Sequence, residues 1–321
     1  MKAKGMKLKE LKIGKFTAKI PIVQGGMSVK NSLSPLAAAV SNAGGIGVIG
    51  ASAIGRDELI SELDNCRRLT PGIVAVNIMY AIREFAATVK TCLDRRVDMI
   101  FQGAGFSREI FKMVEGTKTA LVSIVSSAKA GLMAERLGAD AVVVEGAEAG
   151  GHLGTDRSID EIFPEVRAAV KSIPVLAAGG ITDGYDIAKY LKMGADGVQI
   201  ASRFVCSDEC SAPLAYKQMY LNCQQGDIVK MYSPVGYPGR AIRNKLVRQI
   251  EDGTVEFSGC QSQCLKRCSY KYCISDRLLK AMAGDVEGGL VFSGANAWKI
   301  KEILPAAKIM ENMVREAESV A

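Results

Sequence analysis

The chain alternates between two kinds of segment. Short runs of β-branched and other apolar residues end in glycine or polar residues, and each is followed by a stretch with its apolar residues on one helical face. The runs are IPIVQGG (20–26), GIGVIGA (45–51), GIVAVNIM (72–79), DMIFQGAG (98–105), ALVSIVSS (120–127), DAVVVEGA (140–147), IPVLAAGG (173–180) and GVQIASRF (197–204). Segments such as LSPLAAAVSNAG and SAKAGLMAERLGA lie between them. Continuously apolar strands alternating with helices predict an α/β protein with a parallel sheet covered by helices. Eight strand–helix units predict a (β/α)8 TIM barrel. A doubly wound open sheet is the alternative, because strand count does not establish closure.

The alternation stops near residue 205. Residues 1–205 are therefore expected to form the barrel, and 206–321 a C-terminal extension packed on it as a lid or side subdomain. The extension holds SPVGYPGRAIRNK, a cysteine-rich segment at 260–273, and the helix-like stretches DRLLKAMAGD and KIKEILPAAKIMENMVREAESV.

In a barrel the residues that follow each strand build the active-site rim. Polar and glycine residues gather there: Gln24 to Met27, Asn77, Gln102, Ser126, Glu145, His152, Gly179, Gly180, and Gln199 to Ser202. Gly179 and Gly180 end the seventh run, with Asp183 placed to cap the next helix, and Ala201 and Ser202 end the eighth. Exposed backbone N–H groups at such positions suit a phosphate. Gly25 and Gly26 in QGGMS allow a flat ligand close to the backbone, and Met27 can pack on a ring face. His152, the only histidine, stands in EGAEAGGHLG. An imidazole suits proton exchange near neutral pH, and Gly150 and Gly151 leave room beside it. Glu145 is placed to accept hydrogen bonds from a cofactor or to bind a cation.

Composition changes the picture little. The 321 residues are 48% hydrophobic and 23% charged, with a net charge of +7 spread along the chain. No basic block interleaves with aromatics, so nucleic-acid binding is not expected. The mild basic excess suits acidic substrates or an acidic carrier protein, and equally a solvated surface. The N-terminus MKAKGMKLKELKIGK lacks the apolar core of a signal peptide, and no apolar run reaches membrane-spanning length. The expected location is cytoplasmic, and a homodimer is among the assemblies left open. Nine cysteines then point to thiols or metal ligands rather than disulfides. Cys260, Cys264, Cys268 and Cys273, with three, three and four residues between them, are candidate ligands for an iron–sulfur cluster or zinc.

Taken in order, QGGMS, the strand holding Asn77, EGAEAGGHLG, IPVLAAGGITDG and GVQIASRF resemble the nitronate monooxygenase (2-nitropropane dioxygenase) family. That family includes flavin-dependent enoyl-acyl-carrier-protein reductase II. The likeness runs from about residue 20 to 205 and resumes weakly at GRAIRNK and GDVEGGLVFSGANAW. It implies FMN across the C-terminal rim, with the phosphate on Gly179, Gly180, Ala201 and Ser202. Asn77, Gln199 and the Gly25, Gly26, Met27, Ser28 turn would line the isoalloxazine or ribityl chain. His152 matches the family's active-site histidine. The activity implied is oxidation of a nitronate or related small acid. NAD(P)H-dependent reduction of an enoyl thioester is the second reading, and a flavin-free phosphate-binding barrel the third. The cysteine cluster departs from the family pattern.

Overall fold

The computed structural model describes residues 7–27, 29–257, 259–260 and 262–320. An N-terminal hairpin, β1 (Leu11–Ile13) and β2 (Phe16–Ala18), precedes the alternating region. The order then runs β3 (Ile22–Gln24), α1 (Ser34–Asn42), β4 (Gly47–Gly50), α2 (Arg56–Leu69), β5 (Val74–Met79), α3 (Phe85–Asp94), β6 (Met99–Gly103), α4 (Glu109–Val114), β7 (Ala120–Val125), α5 (Ala128–Leu137) and β8 (Ala141–Glu145). A two-residue strand, β9 (Gly151–His152), interrupts the rhythm before α6 (Ile159–Ala169), β10 (Val175–Ala178), α7 (Gly184–Lys192) and β11 (Gly197–Ile200).

Each of the eight apolar runs contains one strand of a single parallel sheet, ordered β3-β11-β10-β8-β7-β6-β5-β4. The ends of that order meet. Val23 bridges Ile46 in parallel, and the Gln24 and Ile46 N–H groups donate to the Ile46 and Ile22 carbonyls at 2.9 and 3.0 Å. The sheet is therefore a barrel, as the TIM-barrel reading requires. Side-chain alternation explains why its strands read as unbroken apolar runs: Ala141 and Val143 of β8 fill the barrel interior, while Val142 and Val144 face the helices. The β1–β2 hairpin adds Leu11, Ile13 and Ala18 to the interior cluster, plugging the N-terminal end.

Local signals fix the helix ends. Ser158 and Glu161 form a capping box on α6, Asp183 caps α7, and Gly138 closes α5 at φ +96°. A short helix, α8 (Ser202–Val205), follows β11, and the extension comprises α9 (Leu214–Asn222), β12 (Ile228–Met231), β13 (Gly239–Ile242), α10 (Lys245–Glu251), α11 (Ile274–Met282) and α12 (Ala306–Ser319). It is built into the barrel at two places. Helix α12 packs between α7 and α1, so closely that a Cβ on Gly184 would lie 2.2 Å from the Met313 carbonyl oxygen. Strand β13 pairs with both β12 and β9, placing Gly239 opposite His152. Among the described residues no helix is long and apolar enough to cross a membrane.

Candidate active site

Two adjoining cavities open at the C-terminal end of the barrel. They share Glu145, Gly150, Gln199, Ala201 and Ser202. The smaller is enclosed by Gly179, Gly180, Thr182, Gly294 and Asn296. The larger passes over Gly25, Gly26, Met27 and Asn77 to His152. Predicted phosphate and ring positions thus come together in one continuous site. Ser28 lies outside the described residues.

The smaller cavity is a backbone cradle. Gly179 and Gly180 have φ of +111° and +72°, which L side chains rarely adopt. No lysine or arginine lines it among the described residues, so an anion there would rest on N–H and hydroxyl donors. The cradle is locked from the extension. Asn296 donates to the Gly180 carbonyl at 2.7 Å, and the Gly294 N–H donates to Ser202 Oγ at 2.9 Å. Gly150 faces this same segment, and a Cβ on it would lie 2.7 Å from the Gly294 nitrogen.

The floor of the larger cavity is equally close-fitting. A Cβ on Gly26 would lie 2.4 Å from Asn77 Cβ. Asn77 Nδ2 donates to the Gly26 carbonyl at 3.0 Å, which fixes the amide's orientation. Its Oδ1 is buried without a hydrogen-bond partner. An unpaired acceptor in a cavity wall calls for a donor from a bound group, and an isoalloxazine ring carries such an N–H. A phosphate cradle, a glycine floor and an orphaned acceptor are the features an FMN site needs, so the residues present fit FMN.

His152 is held on three sides. The pairing of β9 with β13 fixes its backbone. Its Nε2 lies 2.9 Å from Ser233 Oγ, and Phe292 meets the ring edge-on at 5.2 Å between centroids. Burial pushes its pKa down to about 4, so the ring is neutral at physiological pH. Nδ1 makes no hydrogen bond among the described residues, and His152 lines the larger cavity. Glu145, at the end of β8, is pushed the other way, up to about 7, also by burial.

Two sequence expectations need correction. Gln102 does not line either cavity. It is fully buried, donating to Ser123 Oγ at 2.9 Å and accepting from the Ser107 N–H at 3.0 Å, so it ties β6 to its neighbours. The cysteine tetrad does not assemble. Cys260 is exposed, Cys264 Sγ lies 2.9 Å from Ser275 Oγ, and Cys268 Sγ accepts the Tyr270 N–H at 3.4 Å. Among the described residues no group of three or more His, Cys, Asp or Glu is placed to hold a metal ion. The cysteines are instead spread along a segment that follows the cavity rim, where Cys264 lines the larger cavity.

Sequence reasoning missed Ser233, Phe292, Ser293, Gly294 and Asn296. Each reaches the site from more than 80 residues beyond His152 in the chain. The motif GDVEGGLVFSGANAW was the available signal for the last four.

The sequence model of the nitronate monooxygenase family matches residues 9–88 and 72–316. A probable nitronate monooxygenase of Staphylococcus aureus is 26% identical, over 94% of this chain and 95% of its own. Among solved structures, FabK from Thermotoga maritima is 32% identical with a TM-score of 0.86, covering 94% of each chain. A nitroalkane oxidase from Streptomyces ansochromogenes is 26% identical with a TM-score of 0.81, covering 94% of this chain and 97% of its own.

Proposed function

The chain belongs to the nitronate monooxygenase family of flavin-dependent oxidoreductases, and from that membership we propose that it oxidises a nitronate on FMN held at the barrel rim, with His152 handling charge and protons at the substrate. The observation that carries this reading is His152 itself: a neutral, buried imidazole between Ser233 and Phe292, in the same cavity as Asn77 and the Gly25–Gly26 floor.

Bound FMN would supply the two-electron chemistry. The chain supplies placement. Gly179, Gly180, Ala201 and Ser202 would hold the phosphate, while Asn77 Oδ1 would accept from the ring. Gln199, lining both cavities, would face the ribityl chain. A low-pKa imidazole is a weak base, poorly suited to pulling a proton from carbon. It suits a substrate that arrives already ionised. An anionic nitronate beside Nδ1 favours the protonated ring and raises its pKa. His152 thereby donates a hydrogen bond to the nitronate from Nδ1. No lysine or arginine among the described cavity residues competes for that role.

One observation favours a second reading. Beyond His152 the cavity is walled by Ile82, Val235, Leu265, Ile274 and Leu278, room an acyl chain would use. Together with the FabK likeness, this supports NAD(P)H-dependent reduction of an enoyl thioester, either free or on an acidic carrier protein. Parallel turnover assays separate the two. Consumption of ethylnitronate in air without nicotinamide is the expected result. NADH or NADPH oxidation driven by crotonyl thioester, with no nitronate turnover, would replace the first reading by the second.

A further inference from the structure

We propose that Tyr220, on α9, is a positioning residue that holds the His152 ring in place through Phe292. This rests on the reading of His152 as the group that meets the substrate, and adds a residue that no barrel motif contains. Residues 291–293 run antiparallel to β13, with Phe292 opposite Ala241. The Ile242 N–H donates to the Val291 carbonyl at 3.0 Å, and the Ser293 N–H to the Arg240 carbonyl at 3.1 Å. Those bonds belong to the residues on either side of Phe292, so its own peptide groups point away from β13. On that far side the Tyr220 hydroxyl donates to the Phe292 carbonyl. Phe292 is thus held by α9 through its backbone and meets His152 through its ring, edge-on at 5.2 Å.

Helix α9 is a fixed post for this contact. Tyr220 is 2% exposed and stacks on Tyr216 with 6.0 Å between ring centroids. The buried Lys217 ammonium donates to the Ser207 carbonyl at 2.6 Å, tying α9 to the turn after α8. Removing the Tyr220 hydroxyl leaves the Phe292 carbonyl without its donor. The carbonyl recovers a partner by turning towards water, which draws the Phe292 ring off His152 and lets water reach the imidazole. Burial is what keeps that ring neutral. The titratable groups sharing its cavity are Glu145, Tyr216, Tyr220 and Cys264, with no lysine, arginine or aspartate among the described lining residues. Arg240, next along β13 from the residue opposite His152, turns its guanidinium to the Ala147 carbonyl, and Tyr232, beside Ser233, is exposed. Wetting the imidazole therefore moves its protonation back towards the ordinary range.

His152 is the only histidine, so its ring C–H resonances can be followed without ambiguity by NMR of the FMN-loaded protein. In wild type they should stay nearly fixed between about pH 5 and 8, where an ordinary imidazole titrates. Tyr220→Phe, checked for FMN content and a cooperative melt, should bring the titration into that window and lower kcat with ethylnitronate roughly 10-fold to 100-fold. Phe292→Leu, which removes the ring contact and keeps Tyr220, should do the same. The double variant should go no further than Phe292→Leu alone, because the hydroxyl acts through Phe292. A His152 ring as silent in Tyr220→Phe as in wild type overturns the proposal, and so do losses that add in the double variant. Should Tyr220→Phe fail to fold, Phe292→Leu decides: an unmoved His152 titration overturns the proposal. Absence of nitronate turnover in wild type removes the functional reading instead, and the NMR comparison still tests whether Tyr220 positions the ring.

Discussion

Replacing Gly26 with alanine tests the floor of the flavin site at a single atom. The added Cβ would lie 2.4 Å from Asn77 Cβ and 3.0 Å from Val48 Cγ1. Carbon atoms in contact prefer about 3.5–4.0 Å, so something must move by roughly 1 Å. Neither neighbour is the far end of a flexible side chain, since Asn77 and Val48 stand on β5 and β4 within the barrel. Overpacking of this kind costs about 1–3 kcal/mol. Its relief pushes Asn77 away from the Gly26 carbonyl and carries the orphaned Oδ1 with it. At about 1.4 kcal/mol per tenfold in affinity, the Kd for FMN should rise roughly 10-fold to 100-fold. Fluorescence titration of FMN with the apoprotein measures this directly. Gly25→Ala is the internal control. Its Cβ would meet Gln199 Cγ at 3.3 Å and Ala201 Cβ at 3.4 Å, contacts that a few tenths of an ångström relieve, so the loss should stay below about fivefold. Wild-type FMN affinity in Gly26→Ala, or equal losses in both variants, would refute the placement of the ring on this floor.

Three further outcomes follow from the same geometry. His152→Ala should retain FMN and lose about 10²–10³-fold in turnover, the usual cost of removing one donor to an anionic reacting group, measured as nitronate consumption; loss of FMN instead would make the histidine part of the cofactor site. Ser233→Ala should keep FMN bound and lower kcat, because the ring loses its 2.9 Å anchor, and unchanged kcat would show that Ser233 does not position it. Glu145 has a pKa raised by burial to about 7 from its ordinary 4.5, so the folded apoprotein holds a proton there that the unfolded chain has released between those values. This contribution to stability is full below pH 4.5 and is lost as pH rises to about 7. Glu145→Gln should therefore gain on the order of 2–3 kcal/mol over wild type on going from pH 4.5 to 8, read from urea unfolding of the apoprotein. An unchanged difference between the two proteins across that range would contradict the burial of Glu145.

The barrel was legible because its strands are apolar on both faces and its helices on one, so each of the eight units announces itself locally. Closure was not, since it rests on one bridge between Val23 and Ile46 that no periodicity encodes. The glycine positions of the site were legible for a related reason: tight turns and close approach both demand glycine, and at Gly26, Gly150, Gly179 and Gly180 the structure shows the constraint. Gln102 looked like the same kind of strand-end residue as Asn77. What separates them is where the side chain finds partners, which for Gln102 is Ser123 and Ser107 inside the protein. Ser233, Phe292 and Asn296 reach the site through the pairing of β13 with β9 and the packing of the 293–296 segment. Nothing local marks Ser233, and for Phe292 and Asn296 the motif GDVEGGLVFSGANAW is a signal that says nothing of which residues they meet. The cysteine spacing resembled a ligand set because four thiols recur at short intervals, but the chain turns them to different neighbours.

The most direct measurement is anaerobic rapid mixing of the FMN-loaded protein with ethylnitronate alone, following the flavin absorbance band. The account predicts that the band bleaches fully without any nicotinamide, and that His152→Ala slows the bleaching by orders of magnitude. A band unmoved by nitronate but bleached by NADH or NADPH would contradict it.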